Sequence, residues 1–132
     1  MTDAAGEDVI GRYLAANAAS DSTAMEALRH PEWQEHWPQS GEVVTSSANY
    51  WAARTQRPEG APRVKPGRTG GSGETWWSEA VVDYADGSSW LGITIFELRD
   101  GLVYRERVSF GPPFPAAEWR AQFVEREAPA IS

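Results

Sequence analysis

Two carboxylates in the second half of this 132-residue chain stand where strand-like sequence could give them acid–base chemistry. Across Thr75–Ala85 a period-two alternation puts Trp77, Glu79, Val81 and Asp83 on one face. A carboxyl between Trp77 and Val81 keeps its proton if that face is buried, which makes Glu79 an acid/base candidate. The opposite reading is an exposed Glu on a convex, partner-facing side. Across Leu102–Phe110 the alternation separates Arg105, Arg107 and Ser109 from Tyr104, Glu106, Val108 and Phe110, with either face open to the interior. Glu106 is the one carboxylate in Glu106–Gly111, and its ordinary alternative is a cross-strand ion pair.

Other groupings carry less. His30, Glu32, Glu35 and His36 lie close in sequence, but HPEWQEH is not the HExxH pattern, and Pro31 opposes the helix that such a zinc site needs. Gly67–Thr75 is glycine-rich yet lacks the Lys-Ser/Thr of a phosphate loop. No metal and no cofactor are expected. The absence of Cys removes disulfides and thiolate chemistry. Seven Trp are too many for a small core alone, and flat side chains lining a concave pocket suit an aromatic or polycyclic ligand. Trp37, Trp51, Trp77 and Trp90 are the expected lining, joined by Thr94 and Phe96.

The elements that must position these groups follow from periodicity and punctuation. Val9, Ile10, Tyr13 and Leu14 share one face of a helix starting near Glu7. Asp21 caps a second short helix through Leu28, and Pro31 ends it. Glu32–Pro38 is a strand or an extended connection, followed by a turn at Ser40-Gly41. Thr45-Ser46 caps a third helix carrying Tyr50 and Trp51. Pro58–Glu74 reads as a long loop with a short strand at Arg63–Lys65, flexible at Gly70–Gly73. Thr75–Ala85, Ser88–Arg99 and Leu102–Phe110 form a meander joined at Asp86-Gly87 and Asp100-Gly101, the hairpin dipeptide. Pro112, Pro113 and Pro115 stop the sheet, and Trp119–Glu125 is a last amphipathic turn. Helices followed by a meander give an α+β class, in one domain spanning residues 1–132.

A net charge of −7 argues against nucleic acid or an anionic membrane as partner. No apolar run reaches the ~20 residues of a membrane span, and the first thirty residues lack a basic-then-apolar leader, so a cytoplasmic location is expected.

The order of elements, with GRYLAANAASDSTAMEAL, HWPQSGE and FELRDGLVYRERVSFGPPFPAAEWRAQFVE, resembles the nuclear transport factor 2-like superfamily and its SnoaL-like, polyketide cyclase branch. The resemblance covers nearly the whole chain. It implies three N-terminal helices on a strongly curved antiparallel sheet, a cone with an apolar pocket, and a homodimer formed through the sheet. In the ketosteroid isomerases of this superfamily a base removes a proton beside a carbonyl while donors hold the enolate oxygen. By that resemblance Tyr13 falls on the first-helix donor slot, and His36, close before Pro38, on the base slot. The second donor slot falls near Ile93 or Thr94, where only the Thr94 hydroxyl is available. The Arg-x-Asp of the related epoxide hydrolases falls on Gly92 and Thr94 and is missing. The expectation is a pocket for a small hydrophobic or aromatic molecule with isomerase- or cyclase-type proton transfer. The alternative is a non-catalytic ligand-binding or dimerisation module of the same fold.

Overall fold

The protein, a computed structural model describing residues 1–127, is built from three helices and six strands. Helix α1 (Asp3–Ala18) begins a turn earlier than its apolar face implies, because Thr2 caps it and its hydroxyl accepts from Ala5 N–H at 3.1 Å. Helix α2 (Ser22–Leu28) is capped by Asp21, which accepts from Ala24 N–H at 3.0 Å. The chain then runs straight into strand β1 (Arg29–Trp37), turns, and returns as β2 (Glu42–Val44). Helix α3 (Ser47–Thr55) starts at Ser46, whose hydroxyl accepts from Asn49 N–H. Strands β3 (Arg63–Ser72), β4 (Thr75–Asp83), β5 (Ser89–Arg99) and β6 (Leu102–Gly111) follow, then a short 3-10 helix over Glu118–Phe123.

The sheet order is β2-β1-β6-β5-β4-β3. The helices precede most of the strands and pack on the sheet's concave side, the expected α+β cone. Two expectations need correction. The sheet is mixed, because β1 lies parallel to β6 while every other pair is antiparallel. The glycine-rich run 63–72 is a full strand paired to β4, not a loop. Its glycines serve close approach: a Cβ on Gly70 would lie 2.8 Å from the Trp77 ring, so only glycine lets that indole lie on the neighbouring backbone. The hairpin at Asp100-Gly101 has both residues at positive φ, 54° and 73°, which an Asp-Gly pair tolerates.

Alternation along the strands separates two faces. Trp33, Glu35 and Trp37 of β1, Trp76 and Ser78 of β4, Thr94, Phe96 and Leu98 of β5, and Val103, Glu106 and Val108 of β6 face the helices. Trp77, Glu79, Leu91, Ile93 and Ile95 face away. A bulge opposite Glu97/Leu98 breaks the β6 alternation, so Tyr104 leaves the Glu106 face and meets His30 and the guanidiniums of Arg99 and Arg105. The core is built from Ile10, Tyr13, Met25, Leu28, Trp33, Trp76, Phe96, Leu98 and Val103. No helix among the described residues is long and apolar enough to cross a membrane.

Candidate functional site

Between the helices and the concave face lies a cavity of about 530 Å³, bordered mainly by apolar side chains and by the carboxyls of Glu35 and Glu106. The two carboxyls are neighbours because β1 and β6 are parallel and in register there, with Glu35 opposite Glu106. Both residues are buried.

Their surroundings differ. Glu106 Oε2 accepts from the Tyr13 hydroxyl at 2.6 Å and from Trp33 Nε1 at 2.7 Å. Behind Tyr13, Arg29 Nε donates to the same hydroxyl at 2.7 Å, and the guanidinium lies over the rings of Trp33 and Tyr50. Among the described residues Glu35 Oε2 accepts from Trp37 Nε1 alone, at 2.7 Å. Burial pushes the Glu35 carboxyl from its ordinary 4.5 up to about 8, and the neighbouring Glu106 adds to the rise. Glu106 is also raised by burial, while Arg29, Tyr13 and Trp33 pull it back. At neutral pH the negative charge therefore belongs on Glu106 and the proton on Glu35. A carboxylate and a carboxylic acid side by side in an apolar cavity can take up and deliver a proton in one turnover.

A second polar group sits on the same wall. Arg54 is buried, and its guanidinium donates to Asn17 Oδ1, the Tyr50 hydroxyl, the Asn17 carbonyl and Ser20 Oγ. Asn17, Tyr50 and Arg54 all border the cavity. Burial, with help from Glu35, pushes the Tyr50 hydroxyl up to about 12, so it keeps its proton.

The residues singled out from sequence fall in several places. Glu106, Trp37, Thr94 and Phe96 border the cavity. Tyr13 does not: it is fully buried and its hydroxyl is spent on Glu106, so the expected oxyanion donor is instead a group that holds a carboxylate. His36 lies between the inward Glu35 and Trp37, and period two turns it to the outer face, opposite exposed Val43 and Arg107. Glu79 and Trp77 are also on the outer face. There Arg68 donates to both Glu79 oxygens, at 3.0 and 2.9 Å, and holds that carboxyl below its ordinary value, the reverse of the expected rise. Trp51 and Trp90 stand beside the wall rather than in it, Trp51 against Tyr50 and Arg54, Trp90 stacked on Phe110. A larger hollow of about 930 Å³ on the outer face holds the ion pairs Arg68–Glu79 and Lys65–Asp83 but gathers no buried carboxyl. Sequence reasoning missed Glu35, Asn17, Tyr50 and Arg54 as site residues. The signal for Glu35 is the alternation Trp33-x-Glu35-x-Trp37, which puts a carboxyl between two inward indoles.

No protein-family model and no curated protein matches this sequence. Solved structures do. An NTF2-like protein of unknown function from Burkholderia xenovorans is 30% identical, with 92% of this chain and 94% of that one covered and a TM-score of 0.77. The chain belongs to the NTF2-like family. A candidate ketosteroid isomerase from Kribbella flavida superposes at a TM-score of 0.85 over 99% of this chain and 96% of that one, at 20% identity. An LEH-like epoxide hydrolase from M. tuberculosis superposes at 0.68, at 16% identity, over 83% and 84% of the two chains. At those identities the likeness extends to the NTF2-like fold and no further, and the fold hosts unlike chemistries.

Proposed function

We propose that this protein binds a small, largely apolar ketone or related oxygenated molecule in the cavity and shifts a proton beside its carbonyl. The observation that carries this reading is the in-register pair Glu35–Glu106, buried in one apolar cavity with unequal donor sets. Glu106 takes the proton from the α-carbon, the C–H electrons move into the C–C bond, and the carbonyl oxygen gains charge. Glu35 lends its proton to that oxygen to give the enol; as Glu106 returns its proton to carbon, the oxygen proton goes back to Glu35, so both carboxyls end as they began. Tyr13, Trp33 and Arg29 are positioning residues that keep Glu106 ionised. Fold neighbours described as a candidate ketosteroid isomerase and a candidate polyketide cyclase support a cavity of this kind. The same reading has two copies meeting through the outer face of β4 and β5, where Trp77, Leu91, Ile93 and Ile95 are exposed.

The test is hydrogen–deuterium exchange at the α-carbon of cavity-sized ketones, followed by NMR in D₂O. Exchange above the solvent rate, lost by about 10²–10⁴-fold in Glu106→Gln, is the expected result. Binding without exchange would leave a ligand-binding module and remove the catalytic reading.

A further inference from the structure

Arg54 controls what two of its neighbours can offer the cavity. One of its nitrogens, Nη1, donates to Asn17 Oδ1 at 2.6 Å and to the Tyr50 hydroxyl oxygen at 3.1 Å, so these acceptors lie side by side on a single nitrogen. An amide whose oxygen is taken presents its NH₂, and a hydroxyl whose oxygen is taken presents its hydrogen. The other nitrogen, Nη2, is held by the Asn17 carbonyl and Ser20 Oγ, which fixes the fork.

The charge is also unbalanced. Arg54 is 8% exposed, and among the described residues no carboxylate lies within ion-pair distance and its buried Nε has no partner. A buried guanidinium without a counter-ion favours whatever brings one. The groups facing this corner are the Glu35 and Glu106 carboxyls and the Arg57 guanidinium, which lies over the Tyr84 ring at 4.0 Å.

We propose that Asn17 and Tyr50, aligned by Arg54, form a donor-only receptor for an acceptor oxygen of the ligand, a carbonyl or a carboxylate, with the carboxylate preferred. This rests on the reading of the cavity as a ligand site and adds which ligand chemistry it selects. A group able only to donate, such as an ammonium, finds no acceptor on this patch, and an alkyl group covers two half-buried donors without pairing them.

The probes are three matched two-ring molecules, 2-naphthoate, 2-acetylnaphthalene and 2-ethylnaphthalene, titrated against the Trp fluorescence of the full chain. Naphthoate is expected to bind tightest and the ethyl compound weakest, with about tenfold or more separating the ends. Tyr50→Phe, which keeps the ring contacts and the Arg54–Asn17 bond, should shrink that separation to a few-fold. Asn17→Asp keeps the shape and gives Arg54 an ion pair, so the variant folds, yet it swaps donors for acceptors and should reject naphthoate by about tenfold or more relative to wild type. Equal binding of the ethyl compound, an unchanged preference in Tyr50→Phe, or undiminished naphthoate binding in Asn17→Asp would each overturn the proposal. So would the failure of all three probes to bind at millimolar concentration. The acetyl methyl group reports on proton transfer separately. Acceptor preference without its exchange into D₂O removes only the catalytic reading, and exchange without acceptor preference removes only the receptor.

Discussion

The inner and outer faces of one sheet carry the same residue type to opposite ends. Outside, Glu79 and Asp83 meet Arg68 and Lys65 in water, and both carboxyls are held below their ordinary values by hydrogen bonds from those cations. Inside, Glu35 and Glu106 meet each other in an apolar cavity, and both are pushed up by burial. A strand residue and its neighbour point to opposite faces, so a single step along the chain decides between a solvated ion pair and a proton store. His36 and Glu35 make the same point: the imidazole faces out, and the carboxyl one step along the strand faces in and is pushed up to about 8 by burial.

The largest expected effect comes from breaking the inner pair on its charged side. Glu106→Gln leaves Arg29 buried with no anion behind Tyr13, and should cost about 3 kcal/mol in urea unfolding besides the loss of exchange. Glu35→Gln should act with the opposite sign at high pH. The native Glu35 holds its proton to about 8, whereas the unfolded chain releases it near 4.5. Its contribution to stability is therefore full below pH 4.5, falls by about 1.4 kcal/mol per pH unit through that window, and is gone above 8. The variant should lose most of this slope and be the more stable protein, relative to wild type, at pH 8–9, as thermal melts across pH 5–9 would read.

Tyr13→Phe removes one donor from Glu106 and the acceptor of Arg29 Nε, a smaller change of about 1–3 kcal/mol. A purely structural Tyr13 would leave the pH dependence alone. A positioning Tyr13 should move the acid limb of the exchange–pH profile upward, because Glu106 then titrates higher. On the outer face Glu79→Gln should leave the melting midpoint and its pH profile unchanged within error, since Arg68 and Glu79 are solvated. Ile93→Glu, on the face proposed to join two copies, should shift sedimentation from dimer to monomer while the exchange–pH profile is unchanged.

Much of this fold was legible because its signals are local. Asp21 and Ser46 cap helices by side-chain chemistry, and Asp-Gly pairs place two hairpins. The parallel β1–β6 pairing is not local: it joins residues about seventy positions apart, and nothing in RHPEWQEHW names β6 as its partner. The site depended on that pairing. Glu106 was visible as a lone carboxyl on an apolar strand face, but its partner Glu35 becomes a partner only when β1 lies in register beside β6. Arg54 was hidden for a similar reason, since an Arg at the end of a short helix reads as solvated until α1 brings Asn17 and Ser20 to it. Trp77 shows the limit of composition: an indole beside Trp76 cannot share its face, and it covers Gly70 instead of lining the cavity.

The split protonation of the inner pair is the central claim, and carboxyl ¹³C chemical shifts across pH 3–10, assigned with Glu35→Gln, test it most directly. A Glu35 carboxyl titrating near 8, with Glu106 ionised before it, is the predicted result. Two carboxyls both titrating near 4.5 would contradict it, because each would then be an ordinary solvated glutamate and the cavity would hold no proton to transfer.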